Sequence, residues 1–322
     1  MFRIDRLQVM TAVSICGWLF LSITIGNLNK WIFTNHNFNY PVFLTTLHVL
    51  TTYSVISVTL HKTPLGMAYD DQWKILPTIQ DQKIQVLSVM FAASIALGNV
   101  AIKYLYISFA KMIFALTPLM TVLVSKVLLN KTHDKYTYIA LIPLFIGSVL
   151  CTLGEVNFSV IGFLAAILST FLRSLKSLLQ GFLLKEERID SICLLYYMSL
   201  PSLLLLLMAT VIFEYHVIWD LNLYTNIRLW CLILCSCFCA VGYNMMNFVV
   251  TYFTCPITLQ VLGNISVLLN VLVSVFIFNN EVSLSSWIGM FGIMLGTVLY
   301  HKVQLMNSMQ WALNRGRSNK QK

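Results

Sequence analysis

The segment "LMTVLVSKVLLNKTHDKYTYIALIPLFIGSVL" (119–150) decides the fold, because it joins two long apolar stretches through a short polar connection. Neither stretch shows the alternation of apolar and polar residues that is typical of strands in a membrane barrel. Each belongs to an apolar run of about 17 to 25 residues, the length needed to cross ~30 Å of hydrocarbon as a helix. The segment therefore predicts two consecutive membrane helices.

The same pattern extends over the whole chain of 322 residues, of which 58% are hydrophobic and only 10% are charged. Soluble domains carry about a quarter charged residues, so this composition indicates an integral membrane protein. We expect an all-α fold of ten transmembrane helices in a single domain, 1–322, that ends in a basic cytosolic tail, 301–322. The apolar runs are 9–29, 40–60, 84–104, 107–128, 136–153, 158–183, 191–213, 229–250, 257–278 and 284–300.

An internal repeat relates the two halves of the chain. The segment 119–150 aligns without gaps with "LLNVLVSVFIFNNEVSLSSWIGMFGIMLGTVL" (268–299), and the offset carries the fourth and fifth runs onto the ninth and tenth. Because five crossings are an odd number, the second copy would be inverted, with repeats at roughly 9–153 and 158–300. Inverted repeats with a site near the midplane are typical of alternating-access transporters. The more specific matches are Ser125 with Ser274, Asn130 with Asn279 and Gly147 with Gly296.

The charge distribution predicts the orientation in the membrane. With a cytosolic N-terminus, most Lys and Arg residues of the connections fall on the cytosolic side, which is the arrangement found in membrane proteins. The formal net charge of +9 is then explained by topology and by contact with anionic membrane lipids. Both termini are expected in the cytosol, and no nucleic acid is expected as a partner.

Cysteine and proline residues within the runs receive structural interpretations. The eight cysteines lie in or beside apolar runs without nearby His or carboxylate partners, so we interpret them as packing residues. Neither a metal site nor a cofactor is expected.

Prolines in membrane helices are tolerated where neighbours satisfy the freed backbone groups, and they often mark bends. The expected bends are at Pro118, Pro143, Pro201 and Pro256.

Buried positive charges are the strongest chemical signal in the sequence. Arg173 and Lys176 lie well inside the sixth run, and Lys111 lies in the first turns of the fourth, whereas no Asp or Glu lies deep in any run. A charge in the membrane interior costs at least ~2.5–3.5 kcal/mol on insertion scales and requires a partner. Because the protein places no carboxylate there, we expect the partner to be a small anionic solute.

The spacing of these residues supports one polar face. Arg173, Lys176 and Gln180 are three and four residues apart and share a face of the sixth helix. An Arg offers a planar fork that suits phosphate or carboxylate oxygens, and a Lys offers a compact point charge.

Several of these cations have an alternative interpretation. Lys176 is near enough to the cytosolic end of its helix for a long side chain to extend part of the way towards water. Lys111 has an alternative place at the lumenal interface, and Lys30 and Lys103 are interpreted first as interfacial anchors.

Neutral polar residues complement the cations. Tyr243, Asn247 and Thr251 recur every four residues in the eighth run and form one face of hydrogen-bonding groups, and Asn264 follows Gly263 in the ninth. The alternative interpretation is hydrogen bonding that only joins helices. The predicted substrate-binding residues are Arg173, Lys176, Lys111, Tyr243, Asn247, Gln180 and Asn264.

Four stretches together resemble a known family. They are "NKWIF" (29–33), "ALGNVAIKYLYISFAKMIFALTPLMTVL" (96–123), "FLRSLKSLLQ" (171–180) and "TLQVLGNISVLLNVLVSVFIFNNEVS" (258–283). They resemble the triose-phosphate and nucleotide-sugar transporter branch of the drug/metabolite transporter superfamily, and most of all the orphan subfamily E of solute carrier family 35. The resemblance implies ten helices in a five-plus-five inverted repeat, residence in the Golgi or endoplasmic reticulum, and exchange of phosphate-bearing solutes.

The resemblance also assigns roles to single positions. In plastid sugar-phosphate exchangers of this branch a His stands at the position of Lys111, and a substrate-contacting Tyr corresponds to Tyr243. The Lys-Arg pair that binds phosphate in those exchangers reads Val267 and Leu268 here, and the Lys of related nucleotide-sugar carriers reads Ser266. The departure removes the main phosphate clamp of the family. Either the three cations of the interior hold the anion alone, or the substrate carries less charge.

The sequence therefore predicts a secondary transporter, an antiporter or facilitator that moves a sugar phosphate or nucleotide sugar by alternating access. An exporter of neutral or cationic metabolites is disfavoured by the absence of buried carboxylates. The alternative from another class is a regulator or trafficking protein that retains the transporter fold without transporting. No enzyme is expected, because no nucleophile–base pair appears in the sequence, and a homodimer is left open.

Overall fold

A computed structural model describes residues 6–62, 78–128, 134–153, 158–187, 189–220, 226–253, 256–278 and 283–318 of the chain. Every regular element among these residues is helical, which confirms the predicted all-α fold. The helices are α1 Arg6–Asn35, α2 Pro41–Lys62, α3 Thr78–Tyr104, α4a Ile107–Phe114, α4b Thr117–Leu128, α5 Lys135–Leu153, α6 Val160–Lys185, α7 Ser191–Phe213, α8 Ile227–Phe253, α9 Pro256–Phe278 and α10 Leu284–Ser318. A short 3-10 helix, Tyr215–Trp219, follows α7.

Within the described residues, eight helical segments are long and apolar enough to cross a membrane, and α4a and α4b together count as one of them. The apolar parts of α5 and α9, Lys135–Leu150 and Leu262–Ile277, are shorter. Ten membrane crossings therefore stay a prediction. The match of Asn130 with Asn279 lies outside the described residues, as do the last four residues of the tail.

Two helix ends differ from the apolar runs. The segment 301–322, predicted as a basic cytosolic tail, is helical over most of its length, because α10 continues to Ser318. The stretch "HKVQLMNSMQWALNR" (301–315) contains no Gly or Pro and is rich in residues that favour helix, so nothing in it ends the helix. Likewise α1 begins at Arg6 and ends at Asn35, beyond the run 9–29.

The fourth membrane segment is broken in its middle, at Ala115 and Leu116. Pro118 has no N–H to donate to the carbonyl of Phe114, and its ring would collide with that carbonyl in a continuous helix. The Thr117 hydroxyl donates to the Phe114 carbonyl instead, at 2.5 Å. The break lies where Pro118 was expected to bend the chain. In contrast, Pro143 and Pro201 lie inside α5 and α7, and Pro256 is the first residue of α9.

The helices pack in pairs around the centre of the molecule. α1 packs mainly on α8, α6 on α3, α2 on α7 and α5 on α10. One large apolar cluster fills the end of the bundle at which α1 ends, and a second joins α2, α3, α6 and α7 towards the other end. The space between the two clusters, bordered by α1, α3, α4a, α6, α8 and α9, contains the polar residues of the interior.

Polar contacts close the end of the bundle at which α1 ends. Lys30 is 6% exposed, and its Nζ atom donates to the carbonyl oxygens of Ile102 at 2.9 Å and Leu105 at 2.8 Å. The Ile102 carbonyl lies in the last turn of α3 and the Leu105 carbonyl directly follows the helix, whose C-terminal end carries a partial negative charge that attracts a cation. The interpretation of Lys30 as an interfacial anchor is therefore wrong, because it is a buried helix cap. Lys103 donates to the Asn39 carbonyl at 2.9 Å.

Glu214 caps α2 at the same end of the bundle. Its carboxylate oxygens accept hydrogen bonds from the backbone N–H groups of Val42 at 3.0 Å and Phe43 at 2.8 Å. Burial raises the pKa of the Glu214 carboxyl above its ordinary value, while the two backbone bonds and the charge of Lys103 oppose the rise. This carboxylate therefore ties the C-terminal end of α7 to the first turn of α2.

Candidate functional site

A central cavity of about 110 Å³ lies between α1, α4a, α6, α8 and α9. The structure brings all seven predicted substrate-binding residues to its wall, although they come from four different helical segments. They are Lys111, Arg173, Lys176, Gln180, Tyr243, Asn247 and Asn264. Their role in binding stays a prediction.

Two of the cations lie against aromatic rings in the interior. The Cζ atom of Arg173 is 4.5 Å from the ring centroid of Phe114. The Nζ atom of Lys176 is 5.0 Å from the ring centroid of Phe91 and 5.5 Å from that of Phe248. These distances fall within the range of cation–π attraction, about 6 Å. Lys176 is thus held between two rings in the bundle and does not extend towards the helix end.

Glycines leave room for the cationic side chains. A Cβ atom on Gly26 would lie 3.1 Å from the Nζ atom of Lys111, and one on Gly98 would lie 3.4 Å from a guanidinium nitrogen of Arg173. Any larger residue at these two positions would therefore crowd the cations. Lys111 extends into the space beside α1 and lines the cavity, so its alternative place at the interface is not the one observed.

The positive charge of the site has no protein counter-ion in the described part of the chain. No Asp or Glu lines the cavity, and the one ion pair among the described residues, between Lys83 and Glu187, joins the beginning of α3 to the end of α6. Within the same residues no group of His, Cys, Asp or Glu is placed to hold a metal ion. Buried charges are normally paired, so this site is suited to an anion.

The neutral residues both line the cavity and join helices. The side-chain amide of Gln180 donates to Asn247 and to Thr251, each at 3.4 Å, and so connects α6 with α8. Asn264 donates to the hydroxyl of Thr297 and connects α9 with α10. Thr251 does not line the cavity, so for this residue the role of joining helices is the one observed.

Two further residues at the cavity, both on α1, escaped the sequence analysis. Trp18 of α1 stacks on Tyr243, with ring centroids 5.9 Å apart. Ser22 of α1 shares a hydrogen bond of 2.8 Å with Ser266 of α9. The only signal in the sequence was their spacing of one helical turn in α1, because the contact of α1 with α8 and α9 is a property of the fold.

A second cavity of about 100 Å³ adjoins the first. It is lined by α1, α2, α3 and α8 and includes Asn29, His48 and Asn99 in its wall. The two cavities share a layer of five residues, which consists of Ser22, Lys111, Phe114, Arg173 and Tyr243. Two cations therefore stand at the boundary between two polar chambers.

The chain is similar to known membrane proteins over most of its length. A family model described as "Triose-phosphate Transporter family" matches residues 9–301. Solute carrier family 35 member E4 is similar in two organisms. The Rattus norvegicus protein is 34% identical over 302 residues, 93% of this chain and 81% of the relative. The Homo sapiens protein is 33% identical over 309 residues, 96% of this chain and 84% of the relative.

A plant relative and a solved structure extend the comparison. UDP-uronic acid transporter 1 of Arabidopsis thaliana is 35% identical over 293 residues, which cover 89% of this chain and 93% of the relative. A solved crystal structure superposes with a TM-score of 0.61 at 16% identity and covers 90% of this chain and 96% of its own. The likeness to the crystal structure concerns the fold alone.

Proposed function

This chain belongs to the triose-phosphate transporter family, and from that premise we propose that it exchanges a phosphate-bearing organic anion across a membrane by alternating access. It is a solute transporter by family and no enzyme. The observation that carries the proposal is the central cavity, where Lys111, Arg173 and Lys176 converge without a carboxylate among the described residues.

The contacts of α5 with α10 support the inverted repeat. The offset that carries Gly147 onto Gly296 also carries Leu144 onto Ile293. A Cβ atom on Gly147 would lie 2.7 Å from the backbone nitrogen of Ile293, and one on Gly296 would lie 2.6 Å from that of Leu144. The repeat thus converts the contact of Gly147 with Ile293 into the contact of Gly296 with Leu144. A two-fold axis between the halves requires such an exchange.

The pairing of the other helices agrees with the same symmetry. The repeat relates α1 to α6 and α3 to α8, and the two pairs α1 with α8 and α6 with α3 are among the most extensive in the bundle. α2 packs on its own counterpart α7. We therefore assign ten membrane crossings in two inverted halves of five, with the central cavity at their interface.

The orientation and the compartment follow from the charge pattern and the family. Both termini are assigned to the cytosol, since that orientation collects most Lys and Arg residues on the cytosolic side. The Golgi or endoplasmic reticulum is the proposed compartment. Sugar phosphates and nucleotide sugars are the proposed solutes, in line with the family description and with the printed name of the UDP-uronic acid transporter.

Transport by the purified chain in proteoliposomes tests the proposal. Labelled nucleotide sugars and sugar phosphates are offered outside, with and without unlabelled solute inside. The expected result is uptake that is accelerated by internal solute, because an exchanger returns faster when it is loaded. Absence of uptake over the whole panel, from protein that is folded and correctly inserted, would contradict transport and favour a regulatory membrane protein with this fold.

A further inference from the structure

His48 is a titratable side chain of the interior that the proposed function does not use. It lies on α2, is 3% exposed and lines the second cavity together with Asn29 and Asn99. Histidine is the side chain whose ordinary charge change falls between about pH 5 and 8. The wall of the second cavity thus contains a group that can take up a proton.

A directed chain of hydrogen bonds leads to this side chain. The Thr45 hydroxyl donates to the Pro41 carbonyl at 2.8 Å, so its oxygen accepts from the Asn99 amide at 2.7 Å. The Asn99 oxygen in turn accepts from the Asn29 amide at 3.2 Å. Because a backbone carbonyl can only accept, the first bond sets the direction of all the others.

Ser236 of α8 joins the chain to His48. Its hydroxyl donates to the Asn29 oxygen at 2.6 Å, and its oxygen is 2.8 Å from Nε2 of His48. Since the hydroxyl proton is already used, Nε2 carries a hydrogen and donates to Ser236. A neutral imidazole has one N–H group and one lone pair, so Nδ1 is the nitrogen that accepts an additional proton. Protonation at Nδ1 leaves every bond of the chain in place.

The wall around His48 carries charge of one sign. Its charged groups are Lys111 of α4a and Arg173 of α6, and its other titratable group is Tyr243 of α8. The parts of α1 and α3 in the wall contribute only uncharged side chains, and no Asp or Glu belongs to the described part of this wall. Burial and two like charges therefore oppose a positive charge on His48 unless an anion is bound nearby.

The helices that pack on α2 are α3, α7 and α8, and their other charged groups are engaged elsewhere. The charged residues of α3 lie at its two ends. Glu214, at the end of α7, caps the first turn of α2, and Lys30 of α1 caps α3. The titratable side chains of α7 and those next to Ser236 on α8 are thiols and phenols, which are ordinarily uncharged below about pH 8. They are Cys193, Tyr196, Tyr197, Cys235 and Cys237.

An anionic solute changes the charge balance around His48. Its negative charge offsets Lys111 and Arg173 and attracts an imidazolium on the same wall. The bound solute therefore favours the proton, and linkage requires that the proton favours the solute by the same factor. Without a solute, the unprotonated imidazole is the form that the wall accommodates.

On the basis of the proposed function, we propose that His48 takes up a proton together with the anionic solute, so that the protein couples anion transport to protons. The proton comes from the water on the side where the solute enters and forms a bond with Nδ1. It returns to water on the side where the solute leaves. Proton and solute move in the same direction, and each crossing carries one negative charge fewer than the solute alone.

The test measures the KM of trans-stimulated uptake as a function of external pH. Proteoliposomes that contain the wild type, His48→Gln or the control His216→Gln receive labelled uridine diphosphate glucose, with the membrane potential clamped. A phosphate monoester loses its second proton near pH ~6, but this diphosphate is esterified at both ends and keeps its charge, so a pH effect comes from the protein. Gln retains an N–H donor for Ser236 and cannot be protonated, and His216 is exposed.

We expect the wild-type KM to fall by roughly tenfold between about pH 8 and about pH 6, which corresponds to about one pKa unit of coupling. In His48→Gln the KM should change less than about twofold over this range, and His216→Gln should follow the wild type. A wild-type KM that does not respond to pH would overturn the inference. So would a response of His48→Gln equal to that of the wild type, and in both cases the anion transporter of the proposed function would remain.

Proton uptake on binding supplies a second measurement, which does not require insertion into liposomes. Calorimetry of the detergent-purified chain in two buffers of different ionisation enthalpy reports the protons that are taken up when uridine diphosphate glucose binds. We expect net proton uptake by the wild type and a loss of that uptake in His48→Gln. The same comparison serves glucose 1-phosphate, because the difference between the two proteins removes the titration of the solute.

The outcomes separate the inference from the proposed function. Binding without proton uptake by the wild type, or with equal proton uptake by His48→Gln, would overturn proton coupling at His48 and leave an anion transporter. Absence of both binding and uptake for every nucleotide sugar and sugar phosphate would overturn both proposals.

Discussion

Arg173 of α6 lies on the ring of Phe114 of α4a, with 4.5 Å between its Cζ atom and the ring centroid. Phe114 is the last residue of α4a, at the break before α4b. Both residues line both cavities. A buried cation, the interrupted helix and the two polar chambers thus meet at one point of the bundle, and that point is where we expect the solute to change sides.

Neutralising either lysine of the cavity should weaken binding of the solute. Lys111→Gln and Lys176→Gln each remove one positive charge and its hydrogen bonds to an anion, which contribute about 1.5–3 kcal/mol for charged groups. The expected result is a rise in KM of about ten- to a hundredfold in the proteoliposome assay. Lys126→Gln, an exposed lysine at the end of α4b, is the control. An unchanged KM in Lys176→Gln would show that this side chain has no part in the site.

Restoring the backbone donor at position 118 should change transport more than stability. Pro118→Ala allows the carbonyl of Phe114 to accept a helical hydrogen bond, which favours one continuous helix over the break. The broken geometry carries Lys111 and Phe114 into the site, so we expect slower exchange with unchanged or higher thermal stability. Pro143→Ala, inside the continuous helix α5, should leave exchange unchanged. Equal exchange rates for both variants would contradict a role for the break.

The close approach of α5 and α10 should depend on a glycine. A Cβ atom on Gly147 would collide with the Gly289 carbonyl and lie 2.7 Å from the backbone nitrogen of Ile293. Gly147→Ala should therefore destabilise the protein by about 1–3 kcal/mol, the usual cost of overpacking. Gly17→Ala is the control, since its nearest neighbour would be a methionine sulfur at 4.0 Å. Thermal unfolding in detergent measures both, and a Gly147→Ala variant as stable as Gly17→Ala would refute the contact.

Glu214 should make stability depend on pH. Burial raises the pKa of the Glu214 carboxyl above its ordinary value of 4.5, so the folded state favours the protonated form. The stability that this form contributes is fully present below about pH 4.5 and is lost as the pH rises through the raised pKa. Glu214→Gln cannot ionise, so its stability relative to the wild type should increase from pH 4.5 towards neutrality. The exposed Glu186→Gln is the control. A difference between Glu214→Gln and wild type that stays constant with pH would contradict this account.

The sequence alone indicated residues that line the cavity where their chemistry was unusual for their surroundings. A cation inside an apolar run is costly wherever the helix packs, so Lys111, Arg173 and Lys176 were identified without knowledge of the fold. Tyr243 and Asn247 were found because their spacing of four residues puts them on one helix face. The all-α fold followed from run length and composition.

The remaining residues depend on which helices meet. The importance of Trp18 comes from an indole N–H without an acceptor among the described residues, which only packing reveals. Lys30 was misread because its acceptors are carbonyl groups of α3, a distant part of the chain. The end of α10 was not predicted, because the hydrophobic run ends at Tyr300, whereas the backbone has no reason to leave the helix there.

The most direct test of the central claim is exchange by Arg173→Ala. Trans-stimulated uptake of a labelled nucleotide sugar is measured in proteoliposomes that contain the wild type, Arg173→Ala or the exposed control Lys126→Ala, at equal amounts of folded protein. We predict that Lys126→Ala retains the wild-type rate and that Arg173→Ala loses at least about tenfold, since a buried anion would lose its charge-assisted hydrogen bonds. Exchange by Arg173→Ala at the wild-type rate would contradict the assignment of the central cavity as the anion site.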